Sequence, residues 1–262
     1  MIDFEFKKSL GQNFIKDDNI IDKIVKYSRV DKDTLVIEIG PGAGSLSKKL
    51  IPMSGYTILY EIDTRLKEIL EDTLKDNDNY ELIFNDVLKQ NISLDISRFN
   101  YKKVYVVANL PYYITTPIIT KIIEEIEPDR IVVMIQEEVA NRLCATVGNK
   151  EYGMITVLLG VKYDISKLFS VSRNCFKPVP NVDSAVISLD KHFKYNILNK
   201  DIFDKLIKDA FKFKRKNLRN NLKGYDLFKI ENILKHNNYS LNDRAEVIPI
   251  SLFVEIANEL SI

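Results

Sequence analysis

The sequence of 262 residues contains no tryptophan, only two cysteines and only two histidines. Cys144 and Cys175 form no spaced motif with each other or with His192 and His236. Neither a disulfide framework nor a zinc or other metal site is therefore expected. A chain whose cysteines are not paired in this way fits a reducing compartment.

The sequence also lacks an excess of charge of either sign and a long apolar run. Lys and Arg number 38 against 37 Asp and Glu, so the net charge of +1 does not indicate a nucleic-acid-binding protein, and any basic face must be local. The first residues show no apolar core of a signal peptide, and no run reaches the roughly 18 apolar residues typical of a membrane helix. We therefore expect a cytoplasmic protein without a membrane segment.

Strand and helix patterns alternate through the first half of the chain. Apolar runs predict strands at 35–39, 56–60, 80–84, 104–108 and 131–135. Segments with apolar residues at helical spacing follow several of these strands. Hydrophobic residues make up 45% of the chain, which is enough for a sizeable core. This alternation predicts an α/β fold in which helices cover both faces of a parallel sheet.

The pattern changes after about residue 152. Two late β-rich segments, 161–169 and 185–189, flank a proline loop at 176–180 and predict a hairpin that closes one sheet edge. The remainder of the sequence has the pattern of short helices and turns. We therefore predict one large domain over residues 1–192 and a small helical domain over 193–262.

A glycine-rich turn, Gly40-Pro41-Gly42-Ala43-Gly44, follows the first of these strands and precedes a helix. Glycines let the backbone approach a ligand closely, and a helix start offers free N–H groups. However, neither the Walker pattern nor the dinucleotide spacing Gly-x-Gly-x-x-Gly is present. Glu38, just before the turn, disfavours a pyrophosphate and favours a cationic ligand. The turn by itself leaves a purely structural role open.

Polar residues recur near the ends of successive strands. Glu38, Glu61, Asp86 and Asn109 are separated by 23, 25 and 23 residues, each about one strand–helix unit. Each acid alone is equally typical of an exposed strand end or a helix cap. Together they are expected at one sheet edge, where Glu61 would bind ribose hydroxyls and Asp86 an adenine amine. A nucleoside with a positive centre and no phosphate, S-adenosylmethionine, fits this set.

The tetrapeptide Asn109-Leu110-Pro111-Tyr112 follows the apolar strand pattern of residues 104–108. An Asn side chain and a free carbonyl accept hydrogen bonds from an amine, proline stiffens the backbone, and a Tyr ring stacks on a flat base. The motif suits the exocyclic amine of an adenine or the amide of a glutamine. An ordinary Asn-Pro turn after a strand is the alternative.

Residues 205–223 form a local basic segment, with eight Lys or Arg against the single acid Asp209. Phe211 and Phe213 lie among them. Basic side chains bind phosphates and position an RNA rather than read its sequence. A solvated helix face is the alternative. The predicted RNA-binding residues are Lys212, Lys214, Arg215, Lys216 and Arg219, with Lys7, Lys8, Arg142 and Arg173 as weaker candidates.

Several segments in a fixed order carry a family resemblance: GQNF (11–14), VIEIGPGAGSLS (36–47), YEID (60–63), NLPYYITTPII (109–119), QEEVANRL (136–143), EYGMITVLL (151–159), FKPVPNVDSAV (176–186), LRNNL (218–222) and RAEVIPISLF (244–253). Together they resemble the rRNA adenine dimethyltransferases, and most closely the class that acts on bacterial 16S rRNA. The resemblance implies a Rossmann-like, seven-stranded methyltransferase sheet with a small C-terminal helical domain. It also implies that two adjacent adenines in the 3'-terminal hairpin are dimethylated from S-adenosylmethionine during 30S biogenesis.

The resemblance assigns roles to individual residues. Those expected to contact the cofactor are Asn13, Ile15, Gly40, Gly42, Glu61, Asp86 and Asn109. Those expected to hold the adenine are Asn109, Leu110, Pro111 and Tyr112, with Phe176 as a candidate for the opposite wall. A core aromatic that anchors the proline loop is the alternative for Phe176. The expected partner is 16S rRNA in the 30S subunit or its precursor, and the protein is expected to act as a monomer without a metal.

Three other functions are alternatives to this interpretation. The erythromycin-resistance class of 23S rRNA methyltransferases shares the cofactor site and a similar proline loop, but LRNNL and RAEVIPISLF favour the 16S class. A DNA adenine methyltransferase would carry Asp-Pro-Pro-Tyr rather than Asn-Leu-Pro-Tyr. A non-catalytic ribosome-assembly factor on the same fold is disfavoured by the intact motif at 109–112, although an added assembly role stays open.

Overall fold

The computed structural model describes residues 13–262. Their contacts form two compact units. The first unit contains the described residues up to Ala140 together with Ser166–Lys191, and the second contains Asn141–Ile165 and His192–Ile262.

The structure contains every predicted strand, and the strand ends differ from the predicted ones by no more than two residues. The strands are β1 (Phe14–Ile15), β2 (Thr34–Ile39), β3 (Tyr56–Glu61), β4 (Tyr80–Phe84), β5 (Lys103–Asn109), β6 (Arg130–Gln136), β7 (Tyr163–Val171), β8 (Phe176–Lys177) and β9 (Ser184–Lys191). Two of them, β1 and β8, were not predicted, because a two-residue strand is too short to show an alternating pattern.

The helices alternate with the strands in the first unit and follow one another in the second. They are α1 (Asp18–Ser28), α2 (Ser47–Leu50), α3 (Lys67–Leu74), α4 (Ile92–Ile96), α5 (Thr115–Glu125), α6 (Glu137–Leu143), α7 (Met154–Gly160), α8 (Lys200–Ala210), α9 (Leu218–Asn221), α10 (Leu227–His236) and α11 (Ile250–Glu259). Within residues 13–262 no helix is both long and apolar enough to cross a membrane.

Seven strands form one mixed sheet in the order β4-β3-β2-β5-β6-β9-β7. The pairs β3–β4, β2–β3, β2–β5 and β5–β6 are parallel, and β9 runs antiparallel to β6. The sheet confirms the predicted Rossmann-like fold and the hairpin at one edge. The strand order reverses between β2 and β5, so a crevice is expected at the carboxyl ends of these two strands.

Apolar burial explains why these segments adopt their structures. All six residues of β2 are buried, as expected for a central parallel strand covered on both faces. Helix α1 buries a stripe that includes Ile20, Ile21 and Ile24 against the core. Its first turn is capped by Asp17, whose carboxylate accepts the Asn19 N–H at 2.9 Å. These contacts hold the sheet rigid behind the crevice.

A second, two-stranded sheet pairs β1 with β8 in antiparallel orientation. Phe14 faces Lys177 and Ile15 faces Phe176, and the Lys16 N–H continues the pairing to the Cys175 carbonyl at 2.8 Å. This pairing ties the chain around residues 13–16 to the proline loop and thereby fixes the position of Asn13.

The second unit has its own apolar core. Tyr152 and Val157 are buried in the same cluster as Phe203 and Leu206, because α7 packs on α8. Residues 141–165 therefore group with the C-terminal helices, which differs from the predicted single boundary after residue 192. A local composition pattern does not reveal such a grouping, because it arises from packing between distant segments.

Candidate active site

A cleft opens at the carboxyl ends of β2 and β5, where the strand order reverses. It encloses about 960 Å³, a volume that includes open solvent at its mouth. The predicted residues that line it are Asn13, Ile15, Gly40, Gly42, Glu61, Asp86, Asn109, Leu110, Pro111 and Tyr112. The fold thus brings together every predicted cofactor residue and four of the five predicted catalytic residues.

The glycine-rich turn forms one side of the cleft. Gly40 and Gly42 adopt φ values of 69° and 61°, which favour glycine over residues with a Cβ. A Cβ on Gly42 would lie 2.7 Å from Cε1 of Phe14, so any other residue would force the ring to move. A Cβ on Gly40 would lie 4.0 Å from the Asn109 carbonyl oxygen. The turn therefore packs directly against the Asn109 segment.

Glu61, the last residue of β3, is 5% exposed and is held by backbone donors. Its Oε2 accepts the Gly42 N–H at 3.1 Å and its Oε1 accepts the Asp63 N–H at 2.9 Å. Burial raises the pKa of Glu61, and the N–H donors of Asp63 and Gly42 oppose that rise. Each oxygen keeps a further lone pair, so the side chain is positioned to accept hydroxyl groups of a ribose.

Asp86 lies two residues beyond β4 and is partly exposed at the cleft. Its Oδ1 accepts the Leu88 N–H at 3.0 Å, and its Oδ2 lies 3.8 Å from Lys89 Nζ. The neighbouring residues Asn85 and Val87 also line the cleft. Sequence reasoning did not include these two, and their adjacency to Asp86 was the only signal for them.

The chemistry of the cleft fits S-adenosylmethionine. Among the described residues that line it, none is Lys, Arg or His, whereas Glu61 and Asp86 supply carboxylates. The only charged side chains that a phosphate-bearing nucleotide would meet among these residues are negative, but a cationic nucleoside with free hydroxyls would be complemented. The backbone at Gly40, where a Cβ would meet nothing closer than 4.0 Å, leaves room for a ligand to approach, whereas the space beside Gly42 is filled by Phe14.

The turn after β5 presents acceptors toward the same cleft. Asn109 donates its Nδ2 to the Asn13 carbonyl at 3.1 Å, which leaves Oδ1 as the acceptor end of the amide. The Leu110 N–H donates to the Met134 carbonyl at 3.1 Å, and the Pro111 carbonyl accepts bonds from the helical turn that follows. The Leu110 carbonyl takes part in none of these bonds. Asn109 Oδ1 and the Leu110 carbonyl are therefore the two acceptors of this turn that these bonds do not use.

Tyr112 is fixed by a bond that the sequence did not predict. Its hydroxyl lies 2.6 Å from Oγ of Ser184, a residue with no exposed surface. Burial raises the pKa of Tyr112, so the phenol is neutral at physiological pH. The next residue, Tyr113, also lines the cleft and is 57% exposed. Nothing in the local sequence points to Ser184, which is 72 residues from Tyr112.

Phe176 does not take the place that was predicted for it. The side chain has no exposed surface and does not line the cleft. It packs in the core cluster with Ile21 and Ile24 of α1, and its backbone pairs with Ile15 in β1. The expectation of an opposite wall is therefore corrected: Phe176 is a core aromatic that anchors the proline loop, and no base can stack on it in this arrangement.

Glu38 is likewise buried rather than placed at the edge of the cleft. It lies inside β2, is 1% exposed, and its Oε2 has no hydrogen-bond partner among the described residues. Because side chains alternate along a strand, Ile39 lines the cleft and Glu38 does not. Burial, and to a lesser degree the charge of Glu61, raises the pKa of Glu38 to about 8.

The basic segment belongs to the second unit; Lys212, Lys214, Arg215 and Lys216 lie in the connection between α8 and α9, and Arg219 lies in α9. The residues Lys212, Lys214, Arg215, Lys216 and Arg219 are all exposed. Nζ of Lys212 and Nζ of Lys216 lie 5.7 and 4.6 Å from the ring centroid of Phe213, which is 47% exposed. One guanidinium nitrogen of Arg219 lies 3.5 Å from Oε1 of Glu231. The segment thus presents cations around an accessible aromatic ring.

Comparison with known sequences identifies close relatives. The family model of ribosomal RNA adenine dimethylase matches residues 3–261. The chain is 43% identical over 263 residues to ribosomal RNA small subunit methyltransferase A of Clostridioides difficile (strain 630), covering 97% of this chain and 91% of the relative. It is 41% identical over 263 residues to the protein of the same name from Fusobacterium nucleatum subsp. nucleatum, with 97% of each covered.

Solved structures show the same fold. A dimethyladenosine transferase from Plasmodium falciparum matches with a TM-score of 0.78 and 25% identity, covering 93% of this chain and 95% of that one. The 23S rRNA methyltransferase ErmE matches with a TM-score of 0.75 and 23% identity, covering 95% of this chain and 100% of that one. The second likeness concerns the fold alone.

The buried carboxyl of Glu38 predicts a pH dependence of stability. Its folded-state pKa of about 8 is above the ordinary value of 4.5. The contribution of Glu38 to the free energy of unfolding is therefore fully present below pH 4.5. It declines as the pH rises toward 8, at about 1 kcal/mol per pH unit. Glu38→Gln has no such titration and should lack this decline, as measured by urea unfolding followed by circular dichroism between pH 5 and 8.

The control for this experiment is Glu124→Gln, which removes an exposed carboxylate of the same unit and should retain the decline. An equally steep decline in Glu38→Gln would show that other groups cause it.

Proposed function

The chain belongs to the ribosomal RNA adenine dimethylase family, and from this premise we propose that it dimethylates two adjacent adenines in the 3'-terminal hairpin of 16S rRNA. The protein is an S-adenosylmethionine-dependent rRNA adenine dimethyltransferase. Four methyl groups are transferred in total, two to the exocyclic amine of each adenine. The proposed setting is biogenesis of the 30S subunit in the cytoplasm, with the protein acting as a monomer on the subunit or its precursor.

The observation that carries this proposal is the pair of acceptors after β5. Asn109 Oδ1 and the Leu110 carbonyl lie beside a cleft that is lined by Glu61 and Asp86. A primary amine has two protons to donate, and two acceptors from adjacent residues suit them. The cofactor would be held by the glycine turn, by Glu61 at the ribose and by Asp86 at the adenine, with Asn13 and Ile15 closing the cleft.

Methyl transfer requires an in-line approach of the nucleophile, so alignment supplies much of the rate enhancement. The cofactor, when bound, supplies an electrophilic methyl group. The amine of adenine is a weak nucleophile because its lone pair is delocalised into the ring. When Asn109 Oδ1 and the Leu110 carbonyl accept its protons, the nitrogen becomes pyramidal and its lone pair is free to point at the methyl group.

Positive charge develops on the amine nitrogen as the new bond forms. The dipoles of the Asn109 amide and the Leu110 carbonyl have their negative ends toward that nitrogen and stabilise the charge. No strong general base is needed, because the methylated ammonium is acidic and loses its proton to water afterwards. This agrees with the absence of His from the described residues that line the cleft.

The base must leave its stack before it reaches these acceptors. Pro111 restricts the backbone so that the Leu110 carbonyl keeps one direction. Tyr112 offers a ring on which the extruded adenine would stack. A second methylation needs space for the first methyl group, and the open mouth of the cleft provides it.

RNA contact is assigned to the exposed basic segment of the second unit. Lys212, Lys214, Arg215, Lys216 and Arg219 would bind phosphates and position the RNA. Phe213, with two lysines beside its ring, would contact an unpaired base. Recognition of the folded rRNA would then depend on shape. Arg142 and Arg173 remain weaker candidates, and Lys7 and Lys8 lie outside the described residues.

The 23S rRNA methyltransferases are the nearest alternative. ErmE shares the fold at a TM-score of 0.75, but the relatives of 41% and 43% identity are both named for the small subunit. Those identities favour 16S rRNA as the substrate. A non-catalytic assembly factor would not need the acceptor pair at Asn109 and Leu110, so the preserved geometry favours catalysis.

The decisive experiment compares ribosomal subunits as substrates. With radiolabelled S-adenosylmethionine, the protein should methylate 30S subunits that lack this modification and leave 50S subunits unlabelled. Mapping should place N6-dimethyladenosine at two adjacent positions near the 3' end of 16S rRNA. Label on 50S subunits would support the 23S alternative, and no label on either would support the assembly factor.

The acceptor mechanism predicts the effect of removing the Asn109 side chain. Asn109→Ala should lower kcat on 30S subunits by at least about 100-fold, because one oriented dipole at the developing charge is lost. Asn77→Ala, which changes an amide in the turn after α3 of the same unit, should retain normal kcat. Both variants should show unchanged circular dichroism. Near-normal transfer by folded Asn109→Ala would refute this role.

The basic segment predicts a change in salt dependence. Lys214→Gln combined with Arg215→Gln should weaken binding to 30S subunits and reduce the slope of log affinity against log salt by about 2, because two phosphate contacts are lost. Lys200→Gln with Lys235→Gln removes the same charge from lysines that pair with acids on their own helices. That control should leave the slope unchanged, and equal slopes for both double variants would contradict the assignment.

A further inference from the structure

The bond between Tyr112 and Ser184 joins the reactive turn to a strand that has no other part in the site. The two hydroxyl oxygens are 2.6 Å apart, and Ser184 is fully buried. Tyr112 is half-buried and lines the cleft. The bond therefore holds the hydroxyl end of the ring on which the adenine would stack.

Ser184 is itself held from several directions. It is the first residue of β9, where it pairs with Gln136 at the end of β6. The carbonyl of its neighbour Asp183 accepts the Glu137 N–H at 3.0 Å, and the Asp183 carboxylate accepts the Arg173 N–H at 2.9 Å. Because the backbone around Ser184 is bonded on both sides, its hydroxyl is a fixed anchor.

A tyrosine ring in a short turn has freedom about both of its side-chain torsions. A hydroxyl bond to a rigid strand removes most of that freedom before any ligand arrives, and this lowers the cost of holding the base in one plane. The phenol is neutral and its partner is a neutral hydroxyl, so the bond carries no proton transfer. Its effect is geometric.

We propose that Ser184 is a positioning residue for methyl transfer, which acts through its hydrogen bond to Tyr112 and sets the plane in which the target adenine stacks. The inference rests on the proposed function, since it assumes that Tyr112 faces the adenine. It adds a residue from β9 to a site otherwise built from the glycine turn and the ends of β3, β4 and β5.

The test is a double-mutant cycle on 30S subunits with Ser184→Ala, Tyr112→Phe and the double variant. Removing a hydrogen bond between two neutral groups that orders the site should lower kcat by about 3- to 10-fold. Ser184→Ala and Tyr112→Phe should each lower kcat by that factor, with KM and S-adenosylmethionine affinity within about twofold of wild type. The double variant should be no slower than either single variant.

The matched control is Ser188→Ala, which removes a buried hydroxyl from the same face of β9 four residues further along. It should leave kcat unchanged. The inference is overturned if Ser184→Ala has normal kcat, if the two losses multiply in the double variant, or if Ser188→Ala loses as much activity as Ser184→Ala.

Hydrogen exchange gives a readout that needs no substrate. In the free protein, the amides of residues 110 and 112–116 should exchange faster in Ser184→Ala than in wild type, and at the wild-type rate in Ser188→Ala. Unchanged exchange in Ser184→Ala overturns the inference by itself. If wild-type protein transfers no methyl group to 30S subunits, the proposed function fails, and the exchange result still decides whether Ser184 orders the turn.

Discussion

The site depends on one topological constraint, the placement of β5 directly beside β2 in the sheet. This neighbouring pair brings together the turns that follow the two strands, although about 70 residues separate them in the sequence. Gly40 then lies against the Asn109 carbonyl, where a Cβ would be in ordinary van der Waals contact at 4.0 Å. Since parallel strands share one direction, each further strand end adds its polar residue to the same edge. Glu61 and Asp86 reach the cleft in this way.

The described residues that line the cleft include the carboxylates of Glu61 and Asp86 and no Lys, Arg or His. In the proposed function these carboxylates would meet the cofactor, and Asn109 Oδ1 with the Leu110 carbonyl would meet the adenine amine. The same electronegative character would then serve binding and catalysis together. A phosphate site needs the opposite arrangement, with N–H donors and cations.

The segments that close the site are held by bonds over long distances in the sequence. The strand pair β1–β8 joins the chain near Asn13 to the proline loop, and Asn13 in turn accepts the Asn109 amide. Phe176 anchors that loop from the core, which explains why an aromatic residue stands there without touching the cleft. Ser184, at the start of β9 beyond this loop, bonds Tyr112. These long-range contacts hold Asn13, Asn109 and Tyr112 in place.

The sequence by itself determined the strands, the glycine turn, the strand-end acids and the family, because periodicity and short motifs are local properties. Only the tertiary structure decided that Phe176 and Glu38 are buried, that residues 141–165 join the C-terminal helices, and that Ser184 meets Tyr112. Burial and pairing between distant segments depend on how the elements pack, and a strand pattern does not specify which neighbour a given side chain will meet.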